Sequence, residues 1–280
     1  MKSDLWKKGI VFAIISLFIG ASVIPSISGD LMDTNQIQSA NSDSSNIRTA
    51  LVLHTVEWQA DEITSDMPII KEDVDGVILR CFLQCAGYNV VYKENEEVDL
   101  NYIKNNLSAD FIFYFGHGGY HDTDNDLRKD TVFIVTGEGW TDETEGKYQF
   151  EYENGWIEKG RIDGKDFICF SPDLIRYYYN ESAPQSLPAD SLVFFATCDS
   201  IPDFSMAKAF VDDAGAATYM GWDKHVNDWA NVIVSHIVIF LLYKGWDVEE
   251  ICDTIDYEAN FHRLLFSKLN YYGNGNLTIT

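Results

Sequence analysis

Two uninterrupted apolar runs constrain the fold of this chain more than any other feature. They read FIFYF at Phe111–Phe115 and LVFFA at Leu192–Ala196. A five-residue run of aromatic and aliphatic side chains, bounded by turn residues, predicts a strand that is buried on both faces. Strands of this kind occur mainly in parallel sheets that helices cover on either side.

Alternating strand and helix patterns along the chain favour the same architecture. The predicted elements are strand Ala50–Leu53, a helix within Met67–Ala86, strand Asn89–Tyr92, helix Asp99–Leu107, strand Phe111–Phe115, strand Leu192–Ala196, helix Ile201–Asp213, strand Ala216–Met220, a helix from Asn227 or Asp228 to Tyr243, helix Val248–Leu269 and a small strand at the chain end. This order predicts an α/β domain with a mostly parallel sheet and helices on both faces.

Residues 122–188 interrupt that alternation between the two apolar strands. The segment is rich in Gly, Asp, Glu and aromatic residues. Its predicted elements are strand-like pieces at Thr131–Thr136, Tyr148–Tyr152 and Phe167–Phe170, followed by a helix at Pro172–Tyr179. We therefore expect a β-rich insertion, which on such a scaffold commonly shapes a substrate cleft.

Both apolar strands end in residues that can carry chemistry. Phe115 is followed by Gly116-His117-Gly118-Gly119, and Ala196 is followed by Thr197-Cys198. The carboxyl ends of neighbouring parallel strands open into one crevice. If the strands are neighbours, His117 and Cys198 form a nucleophile with its proton partner. The alternative is that Cys198 is an inert buried cysteine.

A helix is predicted to begin just after Cys198. Ser200 and Asp203 have the spacing of a capping box that opens a helix over Ile201–Asp213. The partial positive charge of a helix N-terminus favours the reactive thiolate. Asp199, directly after the cysteine, acts in the opposite direction, because a nearby carboxylate raises the pKa of a thiol.

These motifs resemble the catalytic elements of caspase-fold cysteine peptidases, in particular the secreted prokaryotic gingipain-like and clostripain-like families. Gly215–Trp222, GAATYMGW, is similar to the strand that follows the nucleophile helix in gingipain-like chains, and Tyr272–Leu277 is similar to their closing turn. The resemblance covers roughly Arg48 to the chain end. It implies an endopeptidase that acts through a Cys198–His117 dyad and an acyl-enzyme.

The resemblance also implies an oxyanion hole formed by the backbone N–H groups of Gly118 and Cys198. The specificity residues of the family have no clear match in this chain. Asp199 and Asp223 are candidate substrate-binding residues, which would favour a basic P1 side chain. Two alternatives stay open: a catalytically inactive caspase-like surface binding module, and an extracellular ligand-binding α/β protein without this ancestry.

The N-terminus has the pattern of a secretory signal. Lysines in the first eight residues precede an apolar stretch at Gly9–Ile24, and small residues predict cleavage after Ser28. We predict a signal peptide at 1–28, a polar linker at 29–47 and a peptidase domain at 48–280, secreted or on the cell surface. A membrane is a partner only if the N-terminal segment is retained as an anchor.

Charge and residue spacing limit the partners and cofactors. The chain has 44 acidic and 20 basic residues and a net charge of −24, which disfavours nucleic acid and favours a polypeptide substrate. Simple solubility explains the charge equally well. The dyad needs no cofactor.

Two further patterns resemble metal sites. Asp122, Asp124 and Asp126 have the spacing of a calcium loop, although Leu127 stands where an EF-hand needs glycine, and a solvated acidic loop is the favoured alternative. A zinc cluster of His117, His121 and Asp122 ranks below the dyad, because two glycines interrupt the helical spacing.

Five cysteines in an exported chain leave at least one unpaired in a monomer. They are Cys81, Cys85, Cys169, Cys198 and Cys252. An unpaired catalytic Cys198 would leave four cysteines that can pair in three ways. Cys81 and Cys85 share one face of a predicted helix, and core thiols are the alternative for that pair.

Overall fold

The computed structural model describes residues 47–55, 74–121, 131–180, 183, 185–258 and 267–280, without the side chains of 74–76, 228–229 and 257–258. The predicted signal peptide and residues 29–46 of the linker lie outside the described residues, and so do Asp122, Asp124 and Asp126. The unit Arg48–Thr280 contains the sheets and helices reported below.

Ten strands form two sheets in the described part of the chain. They are β1 Thr49–His54, β2 Asn89–Glu94, β3 Phe111–Phe115, β4 Gly118–His121, β5 Thr131–Gly139, β6 Ile157–Ile162, β7 Lys165–Phe170, β8 Leu192–Ala196, β9 Thr218–Trp222 and β10 Leu269–Gly273. The main sheet has the order β2-β1-β3-β8-β9-β10, and the insertion sheet has the order β4-β5-β7-β6.

The main sheet is parallel except at one edge, where β10 runs antiparallel to β9. This confirms the predicted mostly parallel α/β sheet, and the two apolar strands have the predicted bounds. All pairs of the insertion sheet are antiparallel. A β-rich region therefore lies between β3 and β8, as predicted.

Helices connect and cover the strands. They are α1 Val74–Cys85, α2 Leu100–Asn105, α3 Asp142–Lys147, α4 Gln149–Glu153, α5 Pro172–Tyr178, α6 Ser205–Lys208, α7 Asp228–Tyr243 and α8 Val248–Asp253. Short π-helical turns at Ala209–Asp213 and Thr254–Glu258 extend α6 and α8.

The two faces of the main sheet carry alternate residues of each strand, because successive side chains of a strand point in opposite directions. Ile112 and Tyr114 of β3 pack in one apolar cluster with residues of α2, α5, α6 and the insertion sheet. Phe113 lines a small cavity on the other face with Leu79 of α1 and Val232 of α7. Helices therefore cover both faces, as predicted.

The structure corrects two predicted elements. Tyr148–Tyr152 is not a strand, because Gln149–Glu153 forms α4, directly after α3 and its Thr141 capping box. The last predicted helix does not continue to Leu269, which begins β10 and pairs with Trp222. That pairing gives hydrogen-bond partners to the backbone N–H and C=O groups along the outer side of β9, which would otherwise be an unpaired sheet edge.

A buried ion pair joins three helices beside the main sheet. Glu151 of α4 accepts from Lys104 of α2 and from the hydroxyl of Tyr178 of α5, the latter at 2.6 Å. Burial raises the pKa of the Glu151 carboxyl, but the hydrogen bonds from Lys104 and Tyr178 outweigh burial and hold that pKa below its usual range. The carboxylate is thus the form that stabilises the fold.

We expect Glu151→Gln to lower the free energy of unfolding by about 3–5 kcal/mol at pH 7, because it leaves the Lys104 charge buried without its partner. Glu153→Gln, on the exposed side of α4, is the matched control and should change the free energy of unfolding by less than about 0.5 kcal/mol.

Denaturant unfolding at several pH values tests this prediction. The Glu151 contribution is present above its unfolded pKa and is lost as the pH falls through the lower folded pKa. The difference between wild type and Glu151→Gln should therefore shrink in acid. Equal effects of the two substitutions at pH 7 would contradict the role of the buried pair.

Candidate active site

His117 and Cys198 follow two neighbouring strands of the main sheet. β3 and β8 pair in parallel, with Phe115 opposite Ala196 as the last pair. His117 comes two residues after Phe115, and Cys198 comes two residues after Ala196. The two loops therefore leave the same carboxyl edge of the sheet, where open α/β sheets bind ligands.

The two loops touch at Gly118. A Cβ atom at Gly118 would lie 2.5 Å from the carbonyl oxygen of Cys198 and 2.9 Å from Oγ1 of Thr197. Only a residue without a side chain allows this approach. The carbonyl oxygen of His117 accepts from the N–H of Val135 at 3.0 Å, which fixes the histidine loop to β5.

The sulfur of Cys198 is buried and held by the loop between β9 and α7. The residue is 6% exposed. The N–H of Val226 donates to Sγ at 3.3 Å, and the thiol lies 3.4 Å from the carbonyl oxygen of Val226, to which it can donate. The N–H that donates to sulfur favours the thiolate, whereas the carbonyl that accepts from the S–H favours the neutral thiol, so Val226 fixes the position of Sγ without selecting one form.

The predicted helix N-terminus after Cys198 is absent from this segment. The helix α6 begins at Ser205, seven residues later, and its first N–H donates to Oδ1 of Asp203. Ser200 caps no helix, because its hydroxyl donates to the carbonyl of Phe195 and accepts from the N–H of Trp222. The expected capping box and its dipole effect on Cys198 are therefore wrong.

The two candidate specificity residues lie in the loops around Cys198. Asp199 has a left-handed φ of 49°, and its N–H donates to the carbonyl of Lys224 at 3.2 Å. Oδ1 of Asp223 accepts from the N–H of Lys268 at 2.7 Å and from the hydroxyl of Ser267 at 3.1 Å. Asp223 thus fastens the loop after β9 to the residues before β10.

Asn231 is a structural member of the site that the sequence analysis missed. Its Nδ2 donates to the carbonyl of Ala196 at 2.7 Å, and its Oδ1 accepts from Nε1 of Trp222 at 2.8 Å. It therefore ties α7 to the ends of β8 and β9. An amide side chain among the mainly apolar residues of this helix was the available signal, because a buried amide needs partners.

The five cysteines are all free thiols. Cys81 and Cys85 are exposed on α1, so the core-thiol alternative for this pair is wrong. Burial raises the pKa of Cys169 to about 12, and burial also raises the pKa of Cys252. These two thiols are therefore unreactive at neutral pH.

The metal alternatives concern residues that are only partly described. In the described ranges, no group of three or more His, Cys, Asp or Glu side chains is arranged to hold a metal ion. His121 lies on β4, with Nδ1 3.3 Å from Oε1 of Glu158, whose pKa burial raises to about 7. Over the same ranges, none of the helices has the length and apolar character needed to cross a membrane.

Comparisons with known proteins add little to this geometry. No protein-family model matches the chain, and no curated protein matches it. The chain is similar to the crystal structure of protein GSU0716 from Geobacter sulfurreducens, with 14% identity and a TM-score of 0.38 over 82% of this chain and 96% of that chain. That likeness is too weak to bear on the fold or the function.

Gly118→Ala should destabilise the protein by about 1–3 kcal/mol, because the added methyl group forces the histidine and cysteine loops apart. Gly146→Ala is the matched control: nothing lies within 4 Å of its Cβ position in α3, so the protein should be unchanged or slightly more stable. Denaturant unfolding of both variants measures the difference. Equal stability of Gly118→Ala and wild type would show that the loops are not in contact.

Proposed function

We propose that this protein is a cysteine endopeptidase with Cys198 as nucleophile and His117 as its proton partner. The parallel pairing of β3 with β8, together with the contact between Gly118 and Cys198, is the observation that carries the proposal. It supports a site in which the imidazole of His117 and the sulfur of Cys198 share one crevice. Nucleophilic catalysis requires that the two groups lie close together. Among the residues that the structure describes, no other thiol follows a strand of the main sheet beside a histidine loop.

The reaction uses the two side chains in sequence. The thiolate of Cys198 attacks the scissile carbonyl carbon after its proton has moved to His117. The imidazolium then protonates the leaving amine, and the C–N bond breaks to give a thioester. His117 next removes a proton from water, which attacks the thioester and releases the acid and the thiol. Atoms and protons balance over the cycle.

Two sets of backbone groups bear on this chemistry. The N–H of Val226 donates to the sulfur and its carbonyl accepts from the thiol, so Val226 holds Sγ in place until the loop after β9 moves. The N–H groups of Gly118 and Cys198 are the proposed oxyanion donors, each contributing about 3–4 kcal/mol to the transition state. The glycine at position 118 lets the histidine loop lie against Cys198, which keeps the two proposed donors close together.

We also propose a caspase-like fold and export of the domain. A histidine strand and a cysteine strand that adjoin in a mostly parallel sheet support the fold proposal, as does the inserted region between them. Cleavage of the predicted signal at Met1–Ser28 would release the enzyme outside the cell.

The buried sulfur favours a second candidate function. Cys198 is only 6% exposed, and both the N–H and the carbonyl of Val226 contact Sγ and block access to it from their side. A caspase-like module that binds polypeptides without cutting them would keep its cysteine in this state. In the peptidase proposal, the loop after β9 must move when the substrate binds.

A biotinylated acyloxymethyl ketone peptide with lysine at P1 should label the enzyme at Cys198. The test is made in a Cys81→Ser, Cys85→Ser background, because those exposed thiols react with any electrophile. Labelling should disappear in Cys198→Ala and persist in Cys252→Ala, whose thiol is buried. Labelling that survives Cys198→Ala ends the proposal.

His117→Ala should lower the labelling rate and kcat/KM for peptide hydrolysis by about 10²–10⁴-fold. His225→Ala, an exposed histidine in the loop that holds Sγ, should leave both within about twofold, since it has no assigned role. A large loss in His225→Ala with little loss in His117→Ala would identify His225, and not His117, as the proton partner. A protein that binds the peptide without being labelled would support the second candidate.

We expect cleavage after Arg or Lys, and Asp199→Asn should reduce kcat/KM for an Arg substrate about tenfold or more with little effect on a Leu substrate. Asp223→Asn tests the second candidate residue in the same assay. Its remaining oxygen can still accept from the N–H of Lys268, so the substitution removes the charge and keeps the loop in place. A panel of fluorogenic peptides gives the ratios. A wild-type preference for apolar or acidic P1 would reject the basic specificity.

A further inference from the structure

An exposed aromatic cluster lies on the insertion, on α4, α5 and the turn before β6. Phe150 is 52% exposed and Tyr177 is 50% exposed. The ring centroids of Trp156 and Tyr177 are 4.2 Å apart, and Phe150 lies 5.2 Å from Trp156. We refer to Phe150, Trp156 and Tyr177 as the aromatic patch. Exposed apolar patches with a polar rim mark interaction sites.

Acidic residues lie on the same stretch of chain as Phe150 and Trp156. Residues 142–156 contain five acidic residues and one basic residue, Lys147. Lys147 lies 3.2 Å from Glu138, and Lys104 pairs with the buried Glu151. The groove between α3 and α4 is lined by Asp142, Glu145, Gly146, Gln149, Tyr152 and Glu153.

The local positive charges are already engaged in the described ion pairs. Arg176, on the same helix as Tyr177, pairs with Asp173 at 2.6 Å and with Asp213 at 3.1 Å. None of the ion pairs among the described residues involves Asp142, Glu145 or Glu153. The segment 142–156, which carries Phe150 and Trp156, therefore has net negative charge.

We propose that the aromatic patch and the acidic groove form a docking surface for a polypeptide segment that carries Lys or Arg next to apolar side chains. The apolar side chains would cover the rings, and the basic groups would meet the carboxylates and the ring faces. The net charge of −24 would steer such a segment toward the protein.

The ring geometry favours a polypeptide over a glycan. A sugar stacks flat on an open ring face, whereas Trp156 and Tyr177 face each other at 35° and Phe150 stands at 88° to Trp156. Trp156 and Tyr177 therefore cover one face of each other, and Phe150 stands edge-on to Trp156, an arrangement that suits apolar side chains better than the flat stacking of a sugar.

The binding test uses the full chain with Cys198→Ala, so that no peptide is cut and the outcome does not depend on the peptidase proposal. The probes are fluorescein-labelled peptides of three repeated units, Gly-Lys-Leu, Gly-Lys-Ser and Gly-Glu-Leu, measured by anisotropy. We expect only the Gly-Lys-Leu peptide to bind, and added salt to weaken it.

Two double variants should weaken that binding about tenfold or more: Phe150→Ser with Tyr177→Ser, and Glu145→Gln with Glu153→Gln. Val77→Ser is the matched control, because Val77 is also an exposed apolar residue, at 44%, but lies on α1. Circular dichroism confirms that each variant is folded.

Three outcomes would overturn the docking surface. Equal binding of the Gly-Lys-Ser peptide would show general attraction to a negative protein. Unchanged binding in the Phe150 and Tyr177 variant would place the site elsewhere. Quenching of tryptophan fluorescence by cellohexaose or chitohexaose, lost in that variant, with no peptide binding, would make the patch a glycan site.

Discussion

The parallel hydrogen-bonded pairing of β3 with β8 is the interaction on which the candidate site depends. It joins segments that are far apart in the chain, with Phe111 opposite Leu192 at the first pair and Phe115 opposite Ala196 at the last. Side chains alternate along a strand, so a slip of one residue would turn Cys198 away from the His117 loop. Burial of both faces keeps the two apolar strands in the centre of the sheet.

The insertion supports the histidine loop as well as separating the two strands. Val135 of β5 donates to the carbonyl of His117, and its own carbonyl accepts from the hydroxyl of Tyr114 at 2.6 Å. Burial raises the pKa of Tyr114, so this hydroxyl remains a donor at neutral pH. The insertion therefore braces β3 and its loop, and its outer helices carry the aromatic patch.

The sequence predicted the elements with strong local patterns and failed where distant contacts decide. The strands at Phe111–Phe115 and Leu192–Ala196 were predicted with their observed bounds, since a continuous apolar run needs burial in any fold. The capping box at Ser200 was wrong, because Phe195 and Trp222, brought together by the sheet, engage the Ser200 hydroxyl. The helix α4 was missed because its aromatic residues also suit a strand.

The sequence by itself determined the residue types and their local settings: buried strands, a histidine between glycines, a cysteine two residues after a strand, and an acidic chain. Only the tertiary structure decided that β3 and β8 are neighbours, that Val226 covers the sulfur of Cys198, and that Cys81 and Cys85 face solvent. The reason is physical. Propensity and periodicity describe one segment at a time, whereas strand order and burial depend on contacts between segments that the chain keeps far apart.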